Sequence, residues 1–342
     1  MPSPAPQMVT SWTVLLDRAI RAPSPHNVQP WKVRVTGAND ATLFLDLERV
    51  LPYEDRTGSF LISAMTLFLE TLSIAAHASG QQITYELASD LDEIAAQAVK
   101  PMSPMLPFAK IARSDAGVTP LDFDARLLDL RRTARMAYTS DPLPKKARLD
   151  LERTAALHGF EFGITADSTA IEELKRTNIL ALFYDLNDPG YHGEIAQWFR
   201  CGRKEEERHR DGLSSRCMNM LPAELALAKK RPSILRIPGL KTIVADYYMS
   251  ALRCRTIGWL RGPFWQPAAA VTAGHGLMRF WLTATKHDLS IHPLGNLVTN
   301  SNAVRAVEAI TGAKEIWFIF KLGKAAKPVP QSLRRPLENF LL

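Results

Sequence analysis

Arg131, Arg132, Thr133 and Arg135 place three guanidiniums and a hydroxyl on one short stretch near the middle of the chain. Guanidiniums capture phosphates and carboxylates through paired, charge-assisted hydrogen bonds, and a threonine hydroxyl adds one more donor. The chemistry on offer is therefore anion binding. The surrounding DFDARLLDLRRTAR reads as a charged amphipathic helix, which sets Arg131 and Arg135 at i,i+4 spacing. Like charges so placed repel by about 0.3 kcal/mol unless an anion lies between them. Asp122, Asp124 and Asp129 supply the competing reading, a neutralised and solvated face, and charge pattern alone favours it.

A second candidate is APSPHNVQPW, residues 22–31. Its prolines stiffen a loop that presents Ser24, His26, Asn27 and Gln29 between a helix and a strand, where polar ligand groups can be recognised. The same residues also serve as a helix stop, with Trp31 entering the core. Residue types leave the two readings level.

What is missing narrows the chemistry. No GxGxxG joins a strand to a helix and no GxxxxGK[ST] occurs, so neither a dinucleotide-binding fingerprint nor a phosphate loop is signalled. A nicotinamide nucleotide would then be a visiting reductant. Eight histidines are scattered, without HExxH or a comparable cluster, and no metal site is expected. No GxSxG and no locally activated cysteine point to a catalytic nucleophile. No catalytic side chain is assigned.

The elements that must position these groups follow from periodicity. Trp12, Leu15, Leu16 and Ala19 recur at helical spacing up to Pro23. Alternation in WKVRV and in Leu43, Leu45 and Leu47 predicts a hairpin around Gly37–Asp40. The apolar run from Gly58 to Gly80, interrupted by Glu70 and His77, reads as a helix buried on nearly every side and too short in its uncharged part to span a bilayer. Ile83, Tyr85 and Leu87 suggest a strand. Residues 101–120, rich in Pro, Met and Ser, read as an extended connection and as the boundary between an N-terminal half, 1–118, and a C-terminal half, 119–342.

In the second half a helix over 145–158, the strand FEFGI, a helix over 269–286, the loop HDLSIHPLGN and the strand IWFIFKLG are expected. Between them, about 178–266 reads as a helical lid insertion. Within it RKEEERHR suggests a solvated helix face, and Trp259, Phe264 and Trp265 suit either lid or core. His275, between two glycines, reads as a polar residue at a helix start. The class is α+β.

The chain has 342 residues and 46% hydrophobic content, enough for a full core. Its net charge of +7 favours anionic partners, but no basic-aromatic stripe or reading motif recommends a nucleic acid. One short amphipathic stretch is weak support for a membrane surface. Three separated cysteines fit a reducing compartment, and MPSPAPQMVTSW lacks the pattern of a secretory signal, so a cytoplasmic location is expected.

Together these segments resemble a known family. PSPHNVQPWKVRV is similar to the P-S-x-x-N-x-Q-P-W signature of the nitroreductase superfamily, RRTARMAYTSDPLP to its R-x-S/T-x-R segment, and LRRPLENFL to its basic end. The order of the first two is reversed relative to ordinary members. That reversal, with DLERVLPYEDRTGSF and RHRDGL, resembles the Acg-like subgroup, in which two nitroreductase-like halves are fused.

The resemblance implies a nitroreductase-like fold of two halves acting as a pseudo-dimer around short antiparallel or mixed sheets, as a monomer or paired further as a homodimer. It implies one flavin mononucleotide (FMN), approached by Pro23, Ser24, His26, Asn27 and Gln29, with its phosphate held by Arg131, Arg132, Thr133 and Arg135 and by Arg334 or Arg335. IHPLGN occupies the family position that offers a backbone N–H to the flavin, making Leu294 and Gly295 candidates. The acidic residue often found near that loop is not evident. The implied activity is an FMN-dependent oxidoreductase acting on a small molecule, with NAD(P)H or a metabolite as donor; the alternative is a flavin-storing protein with little turnover.

Overall fold

The structure is a computed structural model and describes residues 11–115, 123–231, 233 and 237–342. The amphipathic helix α1 (Trp12–Ala19) buries Trp12, Leu15, Leu16 and Ala19, the residues that share its apolar stripe. The loop 20–30 leads to strand β1 (Trp31–Val35), paired antiparallel with β2 (Asp40–Asp46) as its alternation predicts. Next come the buried helix α2 (Ser59–His77), β3 (Gln82–Leu87), α3 (Leu91–Val99) and β4 (Met105–Ser114). The first sheet has the order β1-β2-β4-β3.

Strand β4 corrects the reading of 101–120 as a connection. Leu106, Phe108, Ala109 and Ile111 are buried and form the middle of the sheet. Pro107 sits where the register with β2 shifts, a bulge position that tolerates a missing N–H. Prolines and small residues hid the alternation. The assigned boundary at 118/119 lies outside the described residues.

The second half opens with a short helix, α4 (Arg126–Leu130), and then α5 (Lys145–Leu157) and β5 (Glu161–Thr165). A largely helical excursion follows: α6 (Ser168–Asn187), α7 (Pro189–Ala196), β6 (Phe199–Arg200), α8 (Arg203–His209), β7 (Leu213–Ser214), α9 (Ser215–Met218), α10 (Pro222–Lys230) and α11 (Pro238–Ala251). The chain then re-enters the body through β8 (Ile257–Arg261), α12 (Pro267–Lys286), β9 (Ser290–Pro293), α13 (Asn296–Thr299), α14 (Ser301–Thr311) and β10 (Ile316–Gly323). The second sheet has the order β5-β8-β10-β9.

The two sheets repeat one another. In each, the four strands of the sheet stand in the chain order first, second, fourth, third, all antiparallel, and a long helix follows the second of them. Those helices, α2 and α12, make the most extensive contact between any two helices among the described residues. Gly274 permits it: a Cβ there would stand 1.8 Å from Thr66 Oγ1 and 2.4 Å from the Ser63 carbonyl oxygen. One continuous apolar core joins both sheets, with Trp31, Phe68, Phe280 and Trp317 fully buried in it. The carboxy-terminal tail crosses back to the first half, where Val33 donates to Phe340 O and Leu342 donates to Val33 O. The architecture is α+β, with two four-stranded antiparallel sheets and helices packed between and around them.

Three smaller expectations are revised. Strand β8 includes Trp259 and belongs to the second sheet, although it lies inside the span 178–266 read as a lid; Phe264 is core, stacked 4.6 Å from Trp317. His275 is in the middle of α12, not at its start, and bonds Glu70 Oε2 and the Tyr85 hydroxyl. Helix α8 carries one buried carboxylate, Glu206, held by Arg216 and Ser214, so RKEEERHR is more than a solvated face. Among the described residues α2 alone is long and apolar enough to cross a membrane, and it is packed inside the protein.

Candidate functional site

The arginine segment is not helical. Helix α4 ends at Leu130, and Thr133 bridges in parallel to Ile291 while Ala134 donates to Ile291 O. This corrects the i,i+4 reading: the sheet edge beside β9 captures the backbone before a further helical turn can form. In extended chain, side chains two apart share a face. Arg131, Thr133 and Arg135 accordingly all reach one small cavity of about 60 Å³.

That cavity is also lined by Arg21, Arg132, Arg334, Ser24, Asn27 and Cys217, and by no carboxylate among the described residues. Five arginines thus line it, and of them Arg132 feels the opposing charge of nearby Asp129. Asp124 pairs with Arg126 instead, Asp129 offers Arg132 its backbone carbonyl, and Asp122 lies outside the described residues. Burial and the charges of Arg334 and Arg132 pull Arg131 down to about 9. Burial also lowers Arg135. Among the described residues Arg135 has no hydrogen bond or ion pair, the Thr133 hydroxyl has no partner, and Arg131 Nε is buried without an acceptor. Arg131 itself lies 4.9 Å over the Trp281 ring and donates to Arg21 O.

Arg334 is differently engaged. Its guanidinium donates to the carbonyls of Ile20, Arg21 and Ala22 at the end of α1 and to Ser332 and Leu333. A cation at a helix C-terminus satisfies carbonyls the helix leaves open. All its N–H groups are used, so it lends the cavity charge rather than free donors. Arg335 lines neither cavity; it donates to Gln29 O and covers Phe340.

The 23–30 loop is held in costly conformations. His26, Asn27 and Gln29 have φ of 47°, 55° and 55°, in the left-handed region that non-glycine residues seldom adopt. Two distant segments lock it there. Asn27 Nδ2 donates to Gly212 O and Leu333 O, Gln29 Nε2 donates to Arg210 O, and Gln29 Oε1 accepts from Arg335 N. The RHRDGL turn is fixed in its turn by buried Asp211, which accepts from Arg49 and Arg200. At Gly212, with φ of 72°, a Cβ would stand 2.3 Å from Trp198 O, so no other residue fits. Gln29 is wholly buried and takes no part in lining either cavity. Gln29→Ala would leave Arg210 O and Arg335 N unsatisfied, at a cost of about 2 kcal/mol. Chemical denaturation should register that loss.

The small cavity opens through Pro23, Ser24, Thr133, Arg135 and Leu213, which line both, into a larger one of about 320 Å³. Its walls are mostly apolar. Pro25, Leu61, Phe264 and Trp317 come from the body, and Ile179, Leu182, Tyr247 and Tyr248 from α6 and α11 form a roof. Polar groups are a minority and include His26, Arg49, Glu54, Asp55, Asn178, His292 and the turn at Leu294–Gly295. The Leu294 N–H is spent on Ile319 O, which leaves Gly295 as the free backbone donor of the pair among the described residues.

Sequence reading missed Glu54. It lies in LPYED, inside the DLERVLPYEDRTGSF stretch, where nothing in the residue types singles out Glu54 as a site residue. Its carboxyl bonds His26 Nε2, and a Cβ built on Gly295 would lie 3.6 Å from its Oε1. Burial, then Glu194, Asp55 and Asp185, push Glu54 up to about 8; burial and Arg135 push His26 down to about 3. Through the neutral range the pair therefore holds one proton, and the field places it on the carboxyl.

Taken together, the site has an arginine-lined pocket at one end and a mostly apolar chamber at the other. By sequence, this chain is similar to nitroreductases. The match is to the protein provisionally named NAD(P)H nitroreductase Acg of Mycobacterium tuberculosis, at 29% identity over 184 residues in each of two strains. It takes in 53% of this chain, and the chain spans about half the length, 51%, of those curated relatives. No family model matches. Among solved structures, the FMN-dependent nitroreductase NfnB of Mycobacterium smegmatis in complex with NADPH gives a TM-score of 0.39 at 16% identity, covering 63% of this chain and 94% of that one. A protein of Anabaena variabilis provisionally named a nitroreductase gives 0.47 at 10% identity, covering 89% and 82%.

Proposed function

We propose that the chain binds one FMN and is an FMN-dependent oxidoreductase of nitroreductase type, built as a pseudo-dimer of two unequal halves. The observation that carries this reading is the confluence of a five-arginine pocket, lined by no carboxylate among the described residues, with an apolar chamber. A phosphate dianion would relieve the mutual repulsion of Arg21, Arg131, Arg132, Arg135 and Arg334 and give Arg135 and the Thr133 hydroxyl the partner they lack. Ser24, whose oxygen accepts from Gln29 N, keeps its own proton free to donate there.

The chamber would hold the flavin ring, with Gly295 N–H as the donor at its edge and Pro23, Pro25 and Leu61 against its face. Bound there, the flavin supplies hydride transfer, and the protein supplies orientation, exclusion of water and tuning of the ring. The sequence relative provisionally named NAD(P)H nitroreductase supports a nicotinamide donor.

The roof of α6 and α11 favours a second reading, a flavin-sequestering protein with little turnover. Absorbance separates the cases. Purified protein is expected to carry about one FMN per chain, and NADH or NADPH should bleach it rapidly under anaerobic conditions. A full flavin complement that neither nucleotide bleaches, with no reduction of a quinone panel, would establish sequestration; absence of flavin after incubation with FMN would sink both readings.

A further inference from the structure

Glu54 has no part in phosphate capture, and it is the one carboxyl placed beside the free donor Gly295. The turn that bears it is fixed from the opposite side: Glu194 of α7 accepts from Tyr53 N at 2.8 Å and from Glu54 N at 3.0 Å. His26 Nδ1 is buried without a partner, which fits a neutral ring whose Nε2–H donates to Glu54 Oε2. The remaining oxygen, Oε1, is the one on the Gly295 side and is left free to carry a proton.

We propose that Glu54 is the proton donor to an acceptor that takes up a proton together with a hydride in this chamber. The proposal rests on the flavin oxidoreductase reading. The hydride comes from the flavin, itself reduced by a nicotinamide nucleotide, and in a quinone brings two electrons to one end of the conjugated system. The electron pair displaced onto the far oxygen takes the Glu54 proton: the carboxyl O–H bond breaks, a new O–H bond forms on the acceptor, and Glu54 is left a carboxylate for solvent to reprotonate. His26 is a positioning residue, holding Oε2 so that Oε1 is presented.

Glu54 is faced by His26 from the loop, by Asp55 from its own turn, and by Glu194, Asp185 and Tyr191 from the helical excursion, while Arg135 acts on His26. The three carboxyls raise Glu54, although Arg56 partly offsets Asp185. Donation should therefore be available below about pH 8 and fail above it.

The test uses full-length, flavin-loaded Glu54→Gln with NAD(P)H and two acceptors, a quinone, which needs protons with its electrons, and ferricyanide, which takes electrons alone. The expected loss is about a hundredfold greater on the quinone than on ferricyanide, and the alkaline fall of the wild-type quinone rate should vanish. Infrared spectroscopy supplies a readout independent of turnover: the C=O stretch of a protonated carboxylic acid at neutral pH, present in wild type and in Glu54→Asp, absent in Glu54→Gln. Equal losses on both acceptors, or no such band in wild type, would overturn the proposal while leaving flavin binding intact. Protein that binds no flavin overturns the underlying reading and this proposal with it.

Discussion

Arg135→Gln is expected to make the flavin-free protein more stable and the flavin-bound protein less so. Arg135 is a guanidinium sheltered from bulk water, with no carboxylate, hydrogen bond or ion pair among the described residues, in a pocket that four other arginines share. A charge kept from water without a partner is a liability to the fold. Its removal should add about 1 kcal/mol, a rise of about 2 °C in melting temperature for a chain of this size. Against that, the loss of charge-assisted donors to a phosphate should weaken FMN binding about a hundredfold, or about 3 kcal/mol.

The two effects have opposite signs, which makes the experiment decisive. At a free FMN concentration a hundred times the wild-type Kd, binding adds about 2.7 kcal/mol to the wild type but only about 0.4 kcal/mol to a variant whose Kd is a hundredfold higher. The ranking of the two proteins by melting temperature should therefore invert on adding FMN. A variant that is destabilised without flavin, or that binds FMN as the wild type does, would show that Arg135 serves the fold and not the anion.

Gly274→Ala carries the other large effect. In an exposed helix interior this exchange stabilises by about 1 kcal/mol, since alanine is the better helix former. Here the added methyl would meet Thr66 Oγ1 at 1.8 Å and the Ser63 carbonyl at 2.4 Å, and the second of these belongs to backbone. Helices α2 and α12 must then separate where the two halves meet, and a net loss of about 3 kcal/mol is expected. Thr66→Ala in the same chain should recover part of it, because the side-chain clash disappears and the carbonyl clash does not. A Gly274→Ala protein as stable as wild type would mean that the helix pair is less closely apposed.

Much of the frame was readable because periodicity and burial agree in it. α1, the β1–β2 hairpin, α2, α5, α12 and β10 bury the residues their patterns nominate, and β5 forms where expected though only half-buried. Strand β4 was not, because Pro107 and its small neighbours look like linker until the partner strands β2 and β3 are in place. The arginine segment shows the opposite case: its residue types pointed to the right chemistry, but a helix was assumed where pairing with Ile291 gives an extended chain, and only that geometry explains an R-x-T-x-R spacing of two. Glu54 was invisible for another reason. Its contacts with His26 and Gly295 span 28 residues in one case and most of the chain in the other, and long-range proximity leaves no local trace.

The helical excursion begins and ends at adjacent positions of one antiparallel pair, Thr165 opposite Ile257. In the first half the corresponding hairpin closes through the short turn 36–39. Residues 166–256 thus occupy the place of a β-turn, and because entry and exit lie side by side, the sheet registers the same whatever connects them. Such a segment can change in length without shifting the register of the sheet, but it also lends Arg210 and Gly212 to the 23–30 loop, Glu194 to the turn of Glu54, and Ile171 and Leu174 to the core of the second half. Natural variation in the chemistry of this scaffold is therefore expected to concentrate in the parts of the roof that only line the chamber, and a chimera carrying a foreign roof should fold only if those anchoring residues are kept.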